Sequence, residues 1–330
     1  MKIRIIGHGG ESQFPFGKSG PWSEFRDQVI SQGHEICVDD FGSKTEALIS
    51  HRHSDAAIKE ANKNGVPLSR RALVLWEPQI VEKERYSKKV LEQYGIIYAP
   101  SPIWARYVSG KSFNWPQDKV MAIEGESEWL LRDKKFVVIQ GNKFSARKGE
   151  LYSLRRRVIK SLGSNVDLFG TNWNKGLAFD WWHWSRSAMN STLSELSLKS
   201  INGIGRVYAN YLGTSNSKRE TLQKYRYAIV IENSADFVSE KLFDSISGGC
   251  IAIYTGPLLK DFGIDDSKLV LGKKEKAAIV KKCIQIMELS EIAQYQLAKE
   301  QNISLRRISK YWENTTVLRN LARDIINEME

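Results

Sequence analysis

The stretch from Tyr225 to Pro257, YRYAIVIENSADFVSEKLFDSISGGCIAIYTGP, is compatible with few folds. A continuous apolar run ends in Glu232 and Asn233, and a polar turn and a short helical segment follow. Gly248 and Gly249 then break the chain before a second apolar run reaches Gly256 and Pro257. Strands that are apolar on both faces belong to parallel sheets covered by helices. Strand, helix, strand in that order is a βαβ unit. A charge such as Glu232 at the end of a buried strand must reach the rim or be satisfied by partners. Ser239 is placed to cap the helix, because a hydroxyl there accepts a backbone N–H of the first turn. Asn233, Glu240 and Lys241 therefore gather at the carboxyl end of a buried strand, where open α/β sheets bind ligands. Lys241 stands on the wrong side of the helix dipole unless an anion, such as a phosphate, shares the site. Read blandly, Glu240 is a first-turn acid and Lys241 a solvated side chain.

The rest of the chain repeats the pattern. KIRIIG is followed by Gly7, Gly9 and Gly10, a helical stretch around 22–32, Gly33 and the strand HEICVDDF. The glycine spacing departs from the dinucleotide fingerprint. RALVLWEP is a further buried strand, ending at Glu77 and Pro78, and GIIYAPSP another. KKFVVIQGNK opens a second series, followed by the basic helix GELYSLRRRVIKSLG, with Leu151, Leu154, Val158 and Leu162 near helical spacing. The expected architecture is α/β, with two Rossmann-like domains facing across a cleft, the type called GT-B in glycosyltransferases. The first domain is expected over 1–128 and the second over 129–300. A C-terminal helix over 301–330 would pack back on the first.

The segment 225–257 resembles the core signature of the α-1,3-fucosyltransferase family (glycosyltransferase family 10). The residues that carry the resemblance are Glu232-Asn233-Ser234, then Val238-Ser239-Glu240-Lys241, then Gly256-Pro257, in that order. Phe237 stands where the family usually has tyrosine. SLRRRVIKSLG is similar to the family helix that carries a donor-phosphate arginine, which points to Arg155. The resemblance implies an inverting transfer of fucose, or a related deoxysugar, from a GDP-sugar to a glycan hydroxyl. Lys241 and Arg155 would meet the diphosphate, Glu240 the ribose hydroxyls, and Asn233, Phe237 and Ser239 would complete the donor side. Glu77 would take the acceptor's proton. It could equally be a rim glutamate paired with a lysine, and Arg155 a surface charge. No metal is required by this scheme, since the cations do the neutralising, and no cofactor is expected beyond the GDP-fucose donor.

Other groups are weaker candidates. His8 follows the first strand among glycines and could contact acceptor or phosphate. Arg147 is a reserve phosphate ligand, and Arg156 and Arg157 face solvent. His51 and His53 could be read as a metal pair, but a solvated helix approach is the simpler reading. The DWWHW cluster at 180–184 suits core packing, sugar stacking or a peripheral membrane contact. Basic residues outnumber acidic ones 49 to 38, a formal net charge of +11, which favours polyanions. Another nucleotide sugar is an alternative donor, and a nucleic-acid-binding protein is an alternative of a different class. The tryptophans cluster apart from the basic helix, which argues against specific nucleic-acid recognition. No apolar run approaches the ~20 residues of a membrane span, and MKIRIIGHGG does not read as a secretory signal. Three widely spaced cysteines suit buried thiols. A cytoplasmic setting is expected, with peripheral association at an anionic inner membrane face as one option.

Overall fold

The computed structural model describes residues 1–7, 21–37, 44–145, 147–174, 208 and 210–330. They divide into two compact units, Met1–Lys119 with Ser309–Glu330, and Val120–Ile308. The first break precedes residue 128 because the connecting segment is already tied to the second unit. The Met121 N–H donates to the Ser247 hydroxyl at 3.1 Å, and its carbonyl accepts from Asn302 Nδ2 at 2.8 Å.

The first unit is built on six parallel strands: β1 (Lys2–Ile6), β2 (Glu35–Cys37), β3 (Ala47–Ser50), β4 (Arg71–Val74), β5 (Ile96–Ala99) and β6 (Lys111–Ser112). Their order is β2-β1-β3-β4-β5-β6. The helix Asn314–Met329 completes this unit. Its residues Leu318, Leu321, Ala322, Ile325, Ile326 and Met329 recur at helical spacing and join one core cluster with Ile3, Phe25, Val29, Ile49 and Val74. Burial of each large aliphatic side chain of this kind is worth about 1.5–3 kcal/mol. Polar ties fix the helix end: the Tyr98 hydroxyl donates to Glu328, and Arg70 Nε donates to the Met329 carbonyl at 3.3 Å.

The second unit holds β7 (Asp133–Ile139), β8 (Val166–Phe169), β9 (Tyr225–Ile231), β10 (Ile251–Thr255) and β11 (Val270–Leu271), all parallel, in the order β11-β10-β9-β7-β8. Every residue of β9 is buried, which explains the apolar run Tyr227–Ile231; the one charge in the strand, Arg226, donates to the Arg132 carbonyl at 3.2 Å and to Glu291 at 2.9 Å. The helix Tyr152–Leu162 sends Leu154, Val158, Ile159 and Leu162 into the cluster that holds Phe136, Val138, Tyr227, Ile229 and Ile231. From β7 the chain moves outward to β8, then returns to β9 on the other side of β7. The strand order therefore reverses between β7 and β9, and their carboxyl ends form the switch point at which such sheets take ligands.

Cys37, Cys250 and Cys283 are free and buried. Burial pushes the Cys250 and Cys283 thiols up to about 12, so both are inert at neutral pH. Among the described residues no helix is long and apolar enough to cross a membrane.

Candidate active site

The site in the second unit begins where β9 runs out. Glu232 is fully buried, and its carboxylate folds forward onto the start of the helix Glu240–Ser247. The Ser239 N–H donates to Glu232 Oε1 at 2.9 Å and the Ser239 hydroxyl to Oε2 at 2.6 Å. The Ser239 oxygen in turn accepts from the Lys241 N–H at 3.4 Å and from Lys241 Nζ at 2.7 Å. Lys241 Nζ also lies 3.5 Å from Glu232 and 3.8 Å from Glu240. The anion that the helix start calls for is thus supplied internally by Glu232. That carboxylate offsets the unfavourable position of Lys241 on the dipole. The Lys241 side chain keeps 14% of its surface open.

Glu240 is flanked by two ammonium groups, Lys241 and Lys218, the latter 3.4 Å away; Lys218 also pairs with Asp244 at 3.0 Å. Desolvation pushes the Glu240 carboxyl up, but Lys241 and Lys218 outweigh it and hold it down to about 2. Burial likewise opposes charge on Lys218, while Glu240 and Asp244 raise its pKa. Because the folded pKa of Glu240 lies below its ordinary value, its contribution to stability is complete above about pH 4.5 and is lost as pH falls towards 2.

Arg155 departs from its expected role. The residue is 2% exposed. Its Nη2 donates to the carbonyls of Ile231 at 2.6 Å and Glu232 at 3.2 Å and to Asn233 Oδ1 at 3.3 Å; Nη1 donates to the Gly141 carbonyl at 3.3 Å. Tyr152 lies under the guanidinium at 5.3 Å. Burial draws the guanidinium down to about 10, which still leaves it charged at neutral pH. A fork committed to main-chain oxygens on β9 and on the turn after β7 works as a strut between those two strand ends. Its Nη1 and Nη2 are engaged within the protein. Asn233 is buried too, its carbonyl accepting from the Leu151 N–H at 3.0 Å, and Phe237 is 2% exposed as packing under the turn. Arg147, the reserve candidate, is exposed.

At the end of β7, Gln140 is buried and its Oε1 has no hydrogen-bond partner among the described residues. It lines a small cavity with Lys218, Lys241 and Asp244. After β10, a Cβ on Gly256 would overlap the Tyr254 hydroxyl and lie 2.9 Å from Cγ of Glu232. Gly256→Ala is therefore expected to destabilise the second unit by about 1–3 kcal/mol, read as a lowered urea midpoint. An unchanged midpoint would show that the pocket around Glu232 relaxes freely.

In the first unit, Glu77 follows β4 and the buried Trp76. It is half-buried, and its carbonyl accepts from the Tyr86 hydroxyl at 2.9 Å. Its neighbours are charged. Arg85 pairs with Glu82 at 2.6 Å; burial draws Arg85 down, Glu82 pulls it back up, Arg52 opposes, and Glu77 adds to the upward pull. Glu77 thus sits in a carboxylate–guanidinium cluster beyond the carboxyl ends of β3 and β4. The histidine pair does not converge. His51 Nδ1 accepts from Trp76 Nε1 at 3.0 Å, whereas His53 contacts the Tyr94 hydroxyl at 3.0 Å and Asp55 at 3.2 Å. His8 and the 180–184 tryptophan cluster lie outside the described residues.

No protein-family model and no curated protein matches the chain. Solved structures do. The Anabaena Alr3699/HepE protein in complex with UDP and glucose aligns with a TM-score of 0.58 at 10% identity, over 99% of each chain. An α-glucosyltransferase in complex with UDP and a 13-mer DNA containing an HMU base aligns at 0.56 and 12% identity, again over 99% of each. An α1,3-fucosyltransferase aligns at 0.53 and 14% identity, over 97% of this chain and 90% of the other. The fold is GT-B.

Within this GT-B frame, the donor-side residues named from the sequence fall together at the β9 end: Asn233, Phe237, Ser239, Glu240 and Lys241. Glu232, Lys218 and Gln140 join them without having been singled out as site residues. Glu232 could have been found by asking what satisfies a charge that directly follows the buried apolar run Tyr227–Ile231 of β9. Lys218 gives no such signal, because it arrives from a separate short helix, Lys218–Leu222.

Proposed function

We propose that the protein is a glycosyltransferase that moves a sugar from a nucleotide-diphosphate donor to an acceptor hydroxyl. The observation that carries this reading is the charged array of Glu240, Lys241 and Lys218 at the switch point of a parallel sheet. Such a point presents a nucleotide to the carboxyl ends of two strands at once. Lys241 would stabilise the departing diphosphate, a task worth several kcal/mol when charge develops in a partly desolvated site. Glu240, ionised throughout the working pH range, would accept the ribose hydroxyls. Arg155 and Asn233 would hold the strand end that carries them. Glu77 would act as general base in an inverting displacement.

The resemblance of segment 225–257 favours a GDP-sugar, with fucose or a related deoxysugar, and a glycan acceptor. A UDP-sugar is the second reading, supported by the UDP and UDP-glucose complexes named for proteins of the same fold and by Phe237, which lacks the tyrosine hydroxyl of the fucosyltransferase signature. Isothermal titration with GDP and UDP decides between them. One nucleotide is expected to bind, and Lys241→Ala to weaken it at least about tenfold, or ~1.4 kcal/mol. Binding of neither nucleotide would sink the transferase reading; binding of UDP alone would remove the GDP-sugar.

A further inference from the structure

The main chain of Gln140 is pinned on both sides at the end of β7. Its N–H donates to the Phe169 carbonyl at 3.0 Å, and its carbonyl accepts from Trp173 Nε1 at 2.5 Å. The residue is 6% exposed, and its Oε1 meets no donor among the described residues. A buried acceptor left unmet is costly, and here it stands at the switch point of the sheet, where a ligand can supply the donor. The cavity that Gln140 lines measures ≈ 20 Å³, room for about one oxygen-sized group. Lys218, Lys241 and Asp244 line it too. Ser245 and apolar residues of β7, β9 and the helix Lys218–Leu222 complete the wall.

These neighbours restrict what can enter. A cation would meet two ammonium groups, and Asp244 is already paired with Lys218 at 3.0 Å. A phosphate oxygen would suit the ammonium groups but brings no proton to Gln140. A hydroxyl satisfies both, because its proton goes to Oε1 while its oxygen accepts from an ammonium. Lys218 has a donor to give, since Glu240 and Asp244 take two of its three N–H groups. Glu240, the proposed ribose ligand, contacts both ammonium groups but does not line the cavity. In a sugar nucleotide the diphosphate separates the ribose from the transferred sugar. We propose that Gln140 takes a hydroxyl of the transferred sugar and so selects the sugar rather than the nucleotide. The proposal rests on the glycosyltransferase reading and adds to it a residue that tells one sugar from another.

Isothermal titration of the full chain with GDP, GDP-fucose, GDP-mannose, UDP, UDP-glucose and UDP-galactose tests it. Wild type should bind at least one of these sugar nucleotides more tightly than the bare nucleotide. Gln140→Met keeps the length of the side chain without the acceptor. It should lose that increment, about five- to tenfold for one hydrogen bond, with affinity for the bare nucleotide within about twofold of wild type. The retained nucleotide affinity also shows that the variant is folded. Gln140→Glu keeps an acceptor oxygen in place and should keep the increment, even where its charge weakens the bare nucleotide. Three results would overturn the proposal. One is an increment in Gln140→Met equal to that of wild type, which would leave Oε1 to a water. Another is an equal loss of bare nucleotide and sugar nucleotide, which would give Gln140 to the nucleotide or to the fold. The third is a wild type that binds no sugar nucleotide of the set more tightly than the nucleotide alone. All three leave the transferase reading standing, whereas binding of neither GDP nor UDP by wild type would sink both.

Discussion

Arg155→Ala is expected to cost the second unit about 3–5 kcal/mol, the range for breaking a buried charged pairing by removing one partner. The substitution leaves the carbonyls of Ile231, Glu232 and Gly141 and the Asn233 oxygen without the donor they share, and each buried acceptor left unmade carries a penalty of about 1–3 kcal/mol. It also empties the space over Tyr152. Arg155→Lys should recover only part of the loss, because one ammonium cannot reproduce a planar fork that reaches oxygens on two strand ends. Urea unfolding of both variants, beside wild type, measures this directly. A diphosphate ligand would behave in the opposite way, with nucleotide affinity falling and the urea midpoint unmoved. That pattern would remove the strut and restore the arginine to the donor.

Glu77→Gln is expected to lower transfer by about 10²–10⁴-fold, the usual contribution of a positioned general base, with nucleotide affinity unchanged. The amide keeps the shape of the carboxylate but cannot take the proton. The fold should tolerate the change, because Glu77 is half-buried and the Tyr86 hydroxyl binds its main-chain carbonyl, which the substitution keeps. Turnover within twofold of wild type would exclude Glu77 as base and leave it a member of the ion cluster with Arg85 and Glu82. A readout of donor affinity on the same variant separates loss of chemistry from loss of binding.

The βαβ unit at 225–257 was legible because its signals are local. A strand buried on both faces must be almost wholly apolar, and the serine cap and the paired glycines mark the two ends of the helix. The burial of Arg155 was not anticipated, although a local signal existed. It falls four residues after Leu151 and three before Val158, on the same stripe that carries Leu154 and Leu162 inward. An arginine on that face cannot be solvated and must find acceptors, here the carbonyls of a strand about eighty residues further on. The forward fold of Glu232 onto Ser239 was illegible for a related reason. Sequence shows that a buried carboxylate needs partners, but only the turn geometry says which. The placement of Ser309–Glu330 in the first unit rests on contacts with residues about 300 positions away, beyond the reach of any periodicity.

That last helix has a consequence for synthesis. The sheet of the first unit begins with Lys2, yet one of its faces is closed by Leu318, Leu321, Ile325 and Ile326. On the ribosome, where chains emerge from the N-terminus onward, Ile3, Phe25 and Ile49 are exported long before their covering residues exist. The second unit, contiguous from Val120 to Ile308, has every strand it needs in hand first. The half of the molecule that is made first is therefore the half that matures last, and its uncovered apolar face is what a chaperone would meet on the nascent chain.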